Sequence, residues 1–500
     1  MNQAPDQIPA ARSSRGPLLA LWASLLVTVG VGLPRIFGTS ISIDEAYSMD
    51  TAGRSLAGTL HQATHFELQP PLYFLLLNLW LRLHRSPEFA RLFSLGCILL
   101  ALLLLYRVGR RLGGDIGAAI LPLFAALSAP IAWSAVTERG YGLTLLLLVA
   151  CCHGFVGVWC SDRPASRWDL PVFIVAGVAA TYTFYYSGFA VAGLFAGALL
   201  SGRRRRELLI AAVCVAVAVL PLVPLVLLQS GAHPTQPEGD ARQPPLQSFL
   251  VSRLFGLFFW TGQLRHPPGR VLLAALVLAV AIVRARDGAP RWSRRETLWL
   301  VAAIIPWLLL LGVEQSGTAL VLPRHRVVIL PAALLLLAVI LDGIRHPLRR
   351  RVMTMLTLAT FGIFFLSYQR NREDFDWRAA AALIASREAA GEPVVVFTSD
   401  GVLPLRWEYH GPNTLVPLPG EPDVEHYDPA ERYLHDTLQV RQRIESAVAP
   451  GQSFWLVRRQ WLPQPAGDSL LTQYLRDETV RLGEWKVPGI DLFRLRRAGN

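Results

Sequence analysis

The stretch Arg91–Trp133 reads RLFSLGCILLALLLLYRVGRRLGGDIGAAILPLFAALSAPIAW and contains two apolar blocks joined by an arginine-rich connector. Each block is about 20 residues long, the length at which an α-helix crosses a hydrocarbon layer of ~30 Å. Similar blocks recur along the 500-residue chain, in which 52% of residues are hydrophobic and 17% are charged. Soluble domains average about 25% charged residues. The pattern predicts a polytopic α-helical membrane protein, not a string of soluble domains.

The excess of basic residues fits membrane topology better than nucleic-acid binding. The net charge of +12 comes mostly from arginines between the apolar blocks, as at Arg203–Arg206 and Arg349–Arg351. Short cytoplasmic loops of multi-pass proteins carry this excess. No basic stretch is interleaved with aromatic residues that could stack on bases, so we expect no nucleic-acid partner. The five cysteines show no CxxC pair and no zinc-ligand spacing, which favours small buried side chains over metal ligands.

The apolar blocks predict about eleven spans. They lie near residues 17–33, 91–109, 115–133, 141–160, 170–184, 186–202, 207–228, 270–286, 297–313, 326–344 and 352–368. With the N-terminus in the cytoplasm, the arginine-rich connectors all fall on the cytoplasmic side. The 14-residue segment Pro70–Leu83 is short for a span, and counting it would invert every later connector. We therefore predict an interfacial helix on the outer face.

The predicted domain organisation follows from this topology. Residues 1–368 form a membrane module whose first outer loop, 38–90, is long, and a second outer loop covers about 229–270. Residues 369–500 are richer in charged residues and turn formers and are delivered to the outer side. Helix-like stretches at 377–389 and 429–447 and strand-like stretches at 393–398, 453–457 and 490–495 predict a small extracytoplasmic α/β domain.

Charged side chains that suggest chemistry occur at the outer ends of the predicted spans. Carboxylates are nearly absent within the spans, which is atypical of ion-coupled transporters. Asp44 and Glu45, in ISIDEAY, follow the first span. They could supply a general base or a metal ligand, although Asp-Glu-Ala is also a typical helix start.

Two further charged groups lie at the same predicted level. Glu138 and Arg139 occupy the turn between the third and fourth spans, beside Tyr141, and could bind substrate or anchor the turn at the interface. Arg324 and Arg326 flank a histidine at the outer end of the tenth span. Outer-side arginines run against the positive-inside bias and indicate an anionic partner such as a phosphate, with a lipid head-group contact as the alternative.

The order of these motifs resembles the bacterial polyprenol-phosphate-sugar glycosyltransferases of the GT-C class, related to dolichyl-phosphate-mannose–protein mannosyltransferases and aminoarabinose–lipid A transferase. The matching residues are Asp44–Glu45, Gln69–Phe74, Pro87–Leu92, Gly109–Leu112, Glu138–Tyr141, Pro323–Arg324 and Asp376–Ala380. The chain departs from the usual pattern at Gln69, where His or Lys is common, at His325, where Tyr is common, and at Phe184, where the aromatic patch often holds His.

The resemblance implies an enzyme, a hexosyl- or pentosyltransferase, in the inner (plasma) membrane of a bacterium. It would take a sugar from a polyprenyl-phosphate donor in the membrane lipid and pass it, with inversion, to an envelope glycolipid, polysaccharide or protein. By position, Asp44 would be the general base. Glu45 would orient Asp44 or hold a divalent cation, Mg or Mn, for which Glu138 is the second candidate ligand.

The resemblance also implies a substrate site. Arg324 and Arg326 would bind the carrier phosphate, and Arg139, Tyr141 and Tyr73 would contact substrate together with Glu138. Two alternative functions stay open: an O-antigen ligase or polymerase, and a flippase without covalent chemistry. The acidic first loop favours the transferase over a ligase, which would concentrate its working residues in a later outer loop.

Overall fold

The computed structural model describes residues 15–112, 115–161, 164–230, 267–287, 292–316, 322–370, 375–425, 434–460 and 465–499. They form a helical bundle with an α/β domain at one end. Most of the predicted second outer loop, 231–266, lies outside the described residues.

Helices make up the bundle and also the segment predicted as the first outer loop. They are α1 (Arg15–Gly38), α2 (Ile43–Ala52), α3 (Leu56–His65), α4 (Leu72–Leu81), α5 (Pro87–Leu112), α6 (Asp115–Ala126), α7 (Ala129–Val136), α8 (Tyr141–Phe155), α9 (Asp169–Thr183), α10 (Ser187–Ser201), α11 (Arg205–Val219), α12 (Leu222–Ser230), α13 (Pro267–Arg286), α14 (Arg294–Ser316), α15 (Leu330–Asp342) and α16 (Pro347–Arg370). A π-helical turn, Val156–Cys160, extends α8, and a 3₁₀ helix, Pro323–Ile329, precedes α15.

Every predicted span coincides with helix, but the count of eleven spans is not confirmed. Within the described residues, six helices are long and apolar enough to cross a membrane, or up to eight if each bent pair counts as one span. The bent pairs are α6 with α7 (63°) and α11 with α12 (52°). Helices α9 and α10 have 15 residues each, which is about 22 Å at 1.5 Å per residue and short of the hydrocarbon thickness.

The short segment after Pro70 forms α4, a ten-residue helix. It buries Tyr73, Phe74 and Leu77 in a cluster that also contains residues of α2 and α5. The Asn78 side chain donates hydrogen bonds to the backbone oxygens of Ala52 (2.8 Å) and Arg54 (2.7 Å). Helix α4 therefore stabilises the C-terminal end of α2. The Asn78 amide group donates to backbone carbonyls there that have no partner within the helix.

The arginine-rich connectors meet at the end of the bundle away from the α/β domain. Arg111 pairs with Asp169 (2.5 Å), and Arg284 pairs with Glu296 (2.5 Å). Arg295 donates a hydrogen bond to the backbone oxygen of Leu112 (2.8 Å), which joins two of these connectors. Acidic partners thus offset part of the charge at this end of the bundle.

The α/β domain contains a five-stranded sheet. Its strands are β1 (Val394–Phe397), β2 (Leu415–Leu418), β3 (Ser453–Arg459), β4 (Thr479–Val487) and β5 (Ile490–Arg497), in the order β2-β1-β3-β5-β4. β1 runs parallel to β2 and β3, while β5 runs antiparallel to β3 and β4.

Helices cover both faces of this sheet. One face packs against α17 (Trp377–Ala385) and α18 (Val402–Glu408). The other packs against α19 (Thr437–Ala447) and α20 (Pro465–Glu478). The result is a three-layer domain with apolar clusters on both sides of the sheet, the arrangement expected for strands buried on two faces.

Candidate functional site

Asp44 and Glu45 lie in the first turn of α2. Ser42 caps this helix: its hydroxyl accepts the Glu45 N–H (3.3 Å), and the Glu45 carboxylate accepts the Ser42 N–H (2.9 Å). This reciprocal pair is a capping box, which the sequence S-I-D-E encodes directly. The helix-start interpretation of the motif is thus confirmed, and it does not exclude a chemical role, because the cap uses Glu45 and not Asp44.

Glu45 is buried and fully engaged. Its Oε1 accepts hydrogen bonds from Arg91 Nε (2.9 Å) and the Glu138 N–H (2.9 Å). Its Oε2 accepts from Arg91 Nη2 (2.7 Å) and from the capped Ser42 N–H. Burial acts to raise the pKa of Glu45, but the Arg91 guanidinium and these hydrogen bonds outweigh it and lower the pKa. Glu45 is therefore held as a carboxylate whose two oxygens both have partners.

Arg91 fixes the chain that leads into α2. Besides Glu45, its guanidinium donates to the backbone oxygens of Ile36 (3.1 Å), Thr39 (2.9 Å) and Ser40 (2.8 Å). Arg91 is 2% exposed. A buried, planar, multiply bonded guanidinium imposes strict geometry on its acceptors. Arg91 belongs to the matching motif Pro87–Leu92 but was not among the predicted site residues.

Asp44 points the other way and remains partly exposed. Its Oδ2 lies 3.1 Å from Nη1 of Arg324, and the two side chains are 44% and 33% exposed. The Tyr141 side chain also lies close to the Arg324 guanidinium. The fold thus brings together three residues that the sequence placed in separate motifs.

Arg139 is held by a second carboxylate that the sequence analysis did not select. Its Nη1 donates to Glu67 (2.9 Å), to the Ser48 hydroxyl (3.0 Å) and to the backbone oxygen of Asp44 (3.2 Å). Burial acts to lower the pKa of Arg139, and the carboxylates of Glu67 and Asp44 more than offset this, so the guanidinium stays charged. Burial raises the pKa of Glu67, and the nearby Arg139 guanidinium acts to lower it.

The backbone next to Glu67 is strained. Leu68 has φ of 51°, in the left-handed region that non-glycine residues rarely adopt. With Leu68 in this conformation, the Glu67 side chain reaches Arg139, while Gln69 lines a cavity. Strained residues of this kind cluster at functional sites.

Glu138 is completely buried, and neither of its carboxyl oxygens has a hydrogen-bond partner among the described residues. Burial, followed by the nearby Glu45 carboxylate, raises the pKa of Glu138 well above its ordinary value. The hydroxyl of Tyr73 is also buried and unpartnered in the described structure. Burial and the proximity of Glu138 raise the pKa of Tyr73, which places the two side chains within electrostatic reach of each other.

A small cavity of about 20 Å³ adjoins these groups. Its lining combines polar and aromatic residues: Gln69, Tyr73, Phe74, Arg139, Gly140, Tyr141, Thr183 and Phe184. Three of the predicted substrate-contacting residues therefore share one cavity. Since the hydrogen bonds of Arg139 all use Nη1, its other N–H groups are the donors available to a ligand there.

A row of aromatic side chains extends from this cavity to the 3₁₀ helix Pro323–Ile329. His325 packs against Phe184 and Tyr186, each with a ring-centroid separation of 5.4 Å. Arg326 is 5% exposed, so of the two predicted phosphate-binding arginines Arg324 presents the accessible guanidinium.

The predicted metal ligands fit a cation poorly. Both oxygens of Glu45 are used by protein donors, and Glu138 is buried where burial favours its neutral form. Among the residues that the structure describes, no three His, Cys, Asp or Glu side chains are grouped to hold a metal ion. We derive no chemical step through a metal.

Two crystal structures of one solved GT-C protein share this architecture. ArnT from Cupriavidus metallidurans, in its crystal structure bound to undecaprenyl phosphate, superposes with a TM-score of 0.54 and 14% identity over 95% of this chain and 97% of that chain. The apo state of the same protein gives a TM-score of 0.54 and 15% identity over the same shares. The chain has the GT-C fold.

A more distant structure agrees with this assignment. The apo oligosaccharyltransferase of Archaeoglobus fulgidus superposes with a TM-score of 0.51 and 12% identity over 89% of this chain and 69% of that chain. No protein-family profile and no curated protein sequence matches the chain. At identities this low, the likeness establishes the fold, and function has to be argued from the site.

Proposed function

We propose that the chain is a membrane glycosyltransferase that moves a sugar from a polyprenyl-phosphate donor to an envelope glycolipid, polysaccharide or protein. The reaction would take place at the outer face of a bacterial inner membrane, the side that carries the α/β domain. The observation that carries the proposal is the Asp44–Arg324 pair at 3.1 Å beside a polar cavity. It supplies a base and an anion-binding group, the two functions that sugar transfer from a phosphate carrier requires.

In the proposed reaction, a carboxylate oxygen of Asp44 takes the proton of the acceptor hydroxyl. The acceptor oxygen bonds to the anomeric carbon as the bond from that carbon to the phosphate oxygen breaks. The carrier phosphate leaves with the electron pair, and Arg324 stabilises the charge that develops on it. Attack from the face opposite the phosphate inverts the anomeric configuration.

The other predicted residues take supporting roles in this proposal. Arg139, Tyr141 and Tyr73 line the cavity and would hydrogen-bond the sugar. Glu138, whose carboxyl oxygens have no hydrogen-bond partner among the described residues, would support Tyr73 from behind the cavity wall. Glu45, saturated by Arg91, is a positioning residue for Asp44. Arg326 would act from within the protein by supporting the position of Arg324.

The nature of the carrier rests on two supports. The accessible guanidinium of Arg324 suits a phosphate, which arginine binds well. In addition, one of the structures with this fold contains undecaprenyl phosphate. These observations favour a single phosphate on a long polyprenyl chain as the leaving group.

A reconstituted transfer assay tests the proposal. The purified protein in proteoliposomes is given a polyprenyl-phosphate sugar carrying labelled sugar, with an envelope lipid extract as acceptor. We expect labelled sugar on an acceptor and free polyprenyl phosphate in equal amounts, identified by mass spectrometry. Release of a polyprenyl pyrophosphate would favour the ligase or polymerase, and labelled donor that changes leaflet at unchanged mass would favour the flippase.

A further inference from the structure

The short turn before α2 is bound by the α/β domain as well as by the bundle. The Ser40 hydroxyl donates to the backbone oxygen of Phe375 (2.9 Å) and accepts the N–H of Trp377 (3.0 Å). Arg378 Nη1 donates to the backbone oxygen of Phe37 (3.0 Å). On the opposite side, Arg91 bonds the backbone of the same turn. The turn is therefore clamped between two structural units.

Apolar packing extends this clamp to α2 itself. Ile43, the first residue of the helix and the neighbour of Asp44, packs into the apolar cluster of the α/β domain that contains Trp377. In return, Leu403 and Trp407 of α18 pack against the bundle cluster that contains Ala46 and Met49 of α2. The helix thus contributes to the interior of both units at once.

The far end of α2 has a third attachment. Arg54, just beyond the helix, pairs with Asp50 (2.9 Å) and with Glu425 of the α/β domain (2.8 Å). In α3, the Gln62 amide donates to the backbone oxygen of Val424. Contacts with the α/β domain therefore occur at the start, middle and end of a helix that is about 15 Å long at 1.5 Å per residue.

These contacts matter because a general base must be placed accurately. A misplacement of about 1 Å in a reacting group can cost on the order of 100-fold in rate. The bundle fixes α2 through Glu45 and through the bond from Arg139 to the Asp44 backbone oxygen. The α/β domain holds Ser40 and Ile43, which precede Asp44 in the chain. Loss of the domain contacts would leave the bundle contacts intact but remove the constraint on the residues directly before Asp44.

We propose that the α/β domain is a positioning element for catalysis, and that Ser40 and Ile43 are the positioning residues through which it sets Asp44 opposite Arg324. The inference rests on the proposed function of Asp44. It assigns the domain a direct effect on turnover, separate from any acceptor recognition.

Ser40→Ala and Ile43→Ala test this inference in the full-length protein. We expect kcat to fall about 10- to 100-fold in each, while donor KM changes less than about threefold and the amount inserted in the membrane is unchanged. Amide hydrogen exchange over α2 should become faster in both variants. Ile43→Val should keep most of the wild-type kcat, because valine retains most of the packing of isoleucine. Ser386→Ala is the matched control, since among the described residues that hydroxyl, at the C-terminal end of α17, donates to the backbone oxygen of Leu383 (2.8 Å).

The outcomes separate the two proposals. If Ser40→Ala and Ile43→Ala keep wild-type kcat while Asp44→Asn is inactive, the positioning role is wrong and the proposed function stands. If Asp44→Asn itself keeps full activity, the proposed base is wrong and the positioning role falls with it. The inference would also be wrong if Ile43→Val lost as much kcat as Ile43→Ala while amide hydrogen exchange over α2 stayed at the wild-type rate.

Discussion

Asp44 and Arg324 form an ion pair of 3.1 Å between Oδ2 and Nη1, although one begins the second helix and the other precedes α15. Both side chains are partly exposed, so the pair is worth about 1 kcal/mol or less. A donor phosphate that binds Arg324 can therefore displace the carboxylate at little cost. In the proposed reaction, donor binding would draw Arg324 away from Asp44 before the acceptor proton is transferred, which orders the two substrates.

Arg324→Gln should raise the Kd for polyprenyl phosphate by about 10- to 100-fold, because a charge-assisted contact to phosphate is worth roughly 1.5–3 kcal/mol. The salt dependence of donor binding should also weaken. Titration of polyprenyl phosphate against the purified variants measures both effects. Arg82→Gln, at an exposed position after α4, is the control, and equal affinities for the two variants would remove Arg324 from the phosphate site.

Arg91→Ala should destabilise the protein by about 3–5 kcal/mol, because it leaves the buried Glu45 carboxylate without its partner. The double variant Arg91→Met with Glu45→Leu should recover much of this loss, since it removes both charges. Thermal unfolding in detergent compares the three proteins. A single variant as stable as wild type would show that the Glu45–Arg91 pair does not hold the start of α2.

Glu138→Gln should remove a pH dependence of stability. The folded pKa of Glu138 lies above its ordinary value of 4.5, so the stability that its proton confers is complete below 4.5 and is lost as pH rises through the folded pKa. Glutamine does not titrate, so the variant should gain stability relative to wild type as the pH rises above 4.5. The exposed Glu484 provides the control substitution, and identical pH profiles for wild type and Glu138→Gln would contradict the prediction.

Arg139→Lys should lower kcat/KM even though it keeps the charge, because a single ammonium group cannot reproduce the bonds to Glu67, Ser48 and the Asp44 backbone. Glu67→Gln should add little in the Arg139→Lys background. A double-mutant cycle should give a coupling of about 1–3 kcal/mol. Additive effects of the two substitutions would show that Glu67 does not act through Arg139.

The sequence predicted the positions of the bundle helices well but their lengths and breaks less well. Apolar blocks of the right length mark every helix of the bundle, since burial in lipid or protein demands continuous apolar surface. The break between α6 and α7 and the short α9 and α10 depend on packing against neighbouring helices, which periodicity does not reveal. Within the described residues, helix length and composition give six to eight candidate spans, against the prediction of about eleven.

In the α/β domain, apolar strands were predictable and two others were not. β1, β3 and β5 coincide with the predicted strand-like stretches. β2 has only four residues and includes Pro417, and β4 is a largely exposed edge strand. Proline and polar residues are tolerated at sheet edges, so neither strand carries a strong pattern.

The residues of the candidate site were likewise predicted only in part. The predictions for Asp44, Arg139, Tyr141 and Arg324 concerned charged or aromatic residues next to apolar spans, and the fold brings these four together. Arg91 and Glu67 were not selected, although their partners Glu45 and Arg139 were. A charged residue within an apolar block, as Arg91 is, was the available signal for a buried ion pair.

The most direct test of the account is sugar transfer by Asp44→Asn, with Asp477→Asn at an exposed position of α20 as the matched control. Both variants should insert in the membrane and bind polyprenyl phosphate. The account predicts that Asp44→Asn loses at least about 100-fold in transfer rate, the scale of a lost general base, while Asp477→Asn transfers like wild type. Wild-type transfer by Asp44→Asn would contradict the central claim that Asp44 is the base.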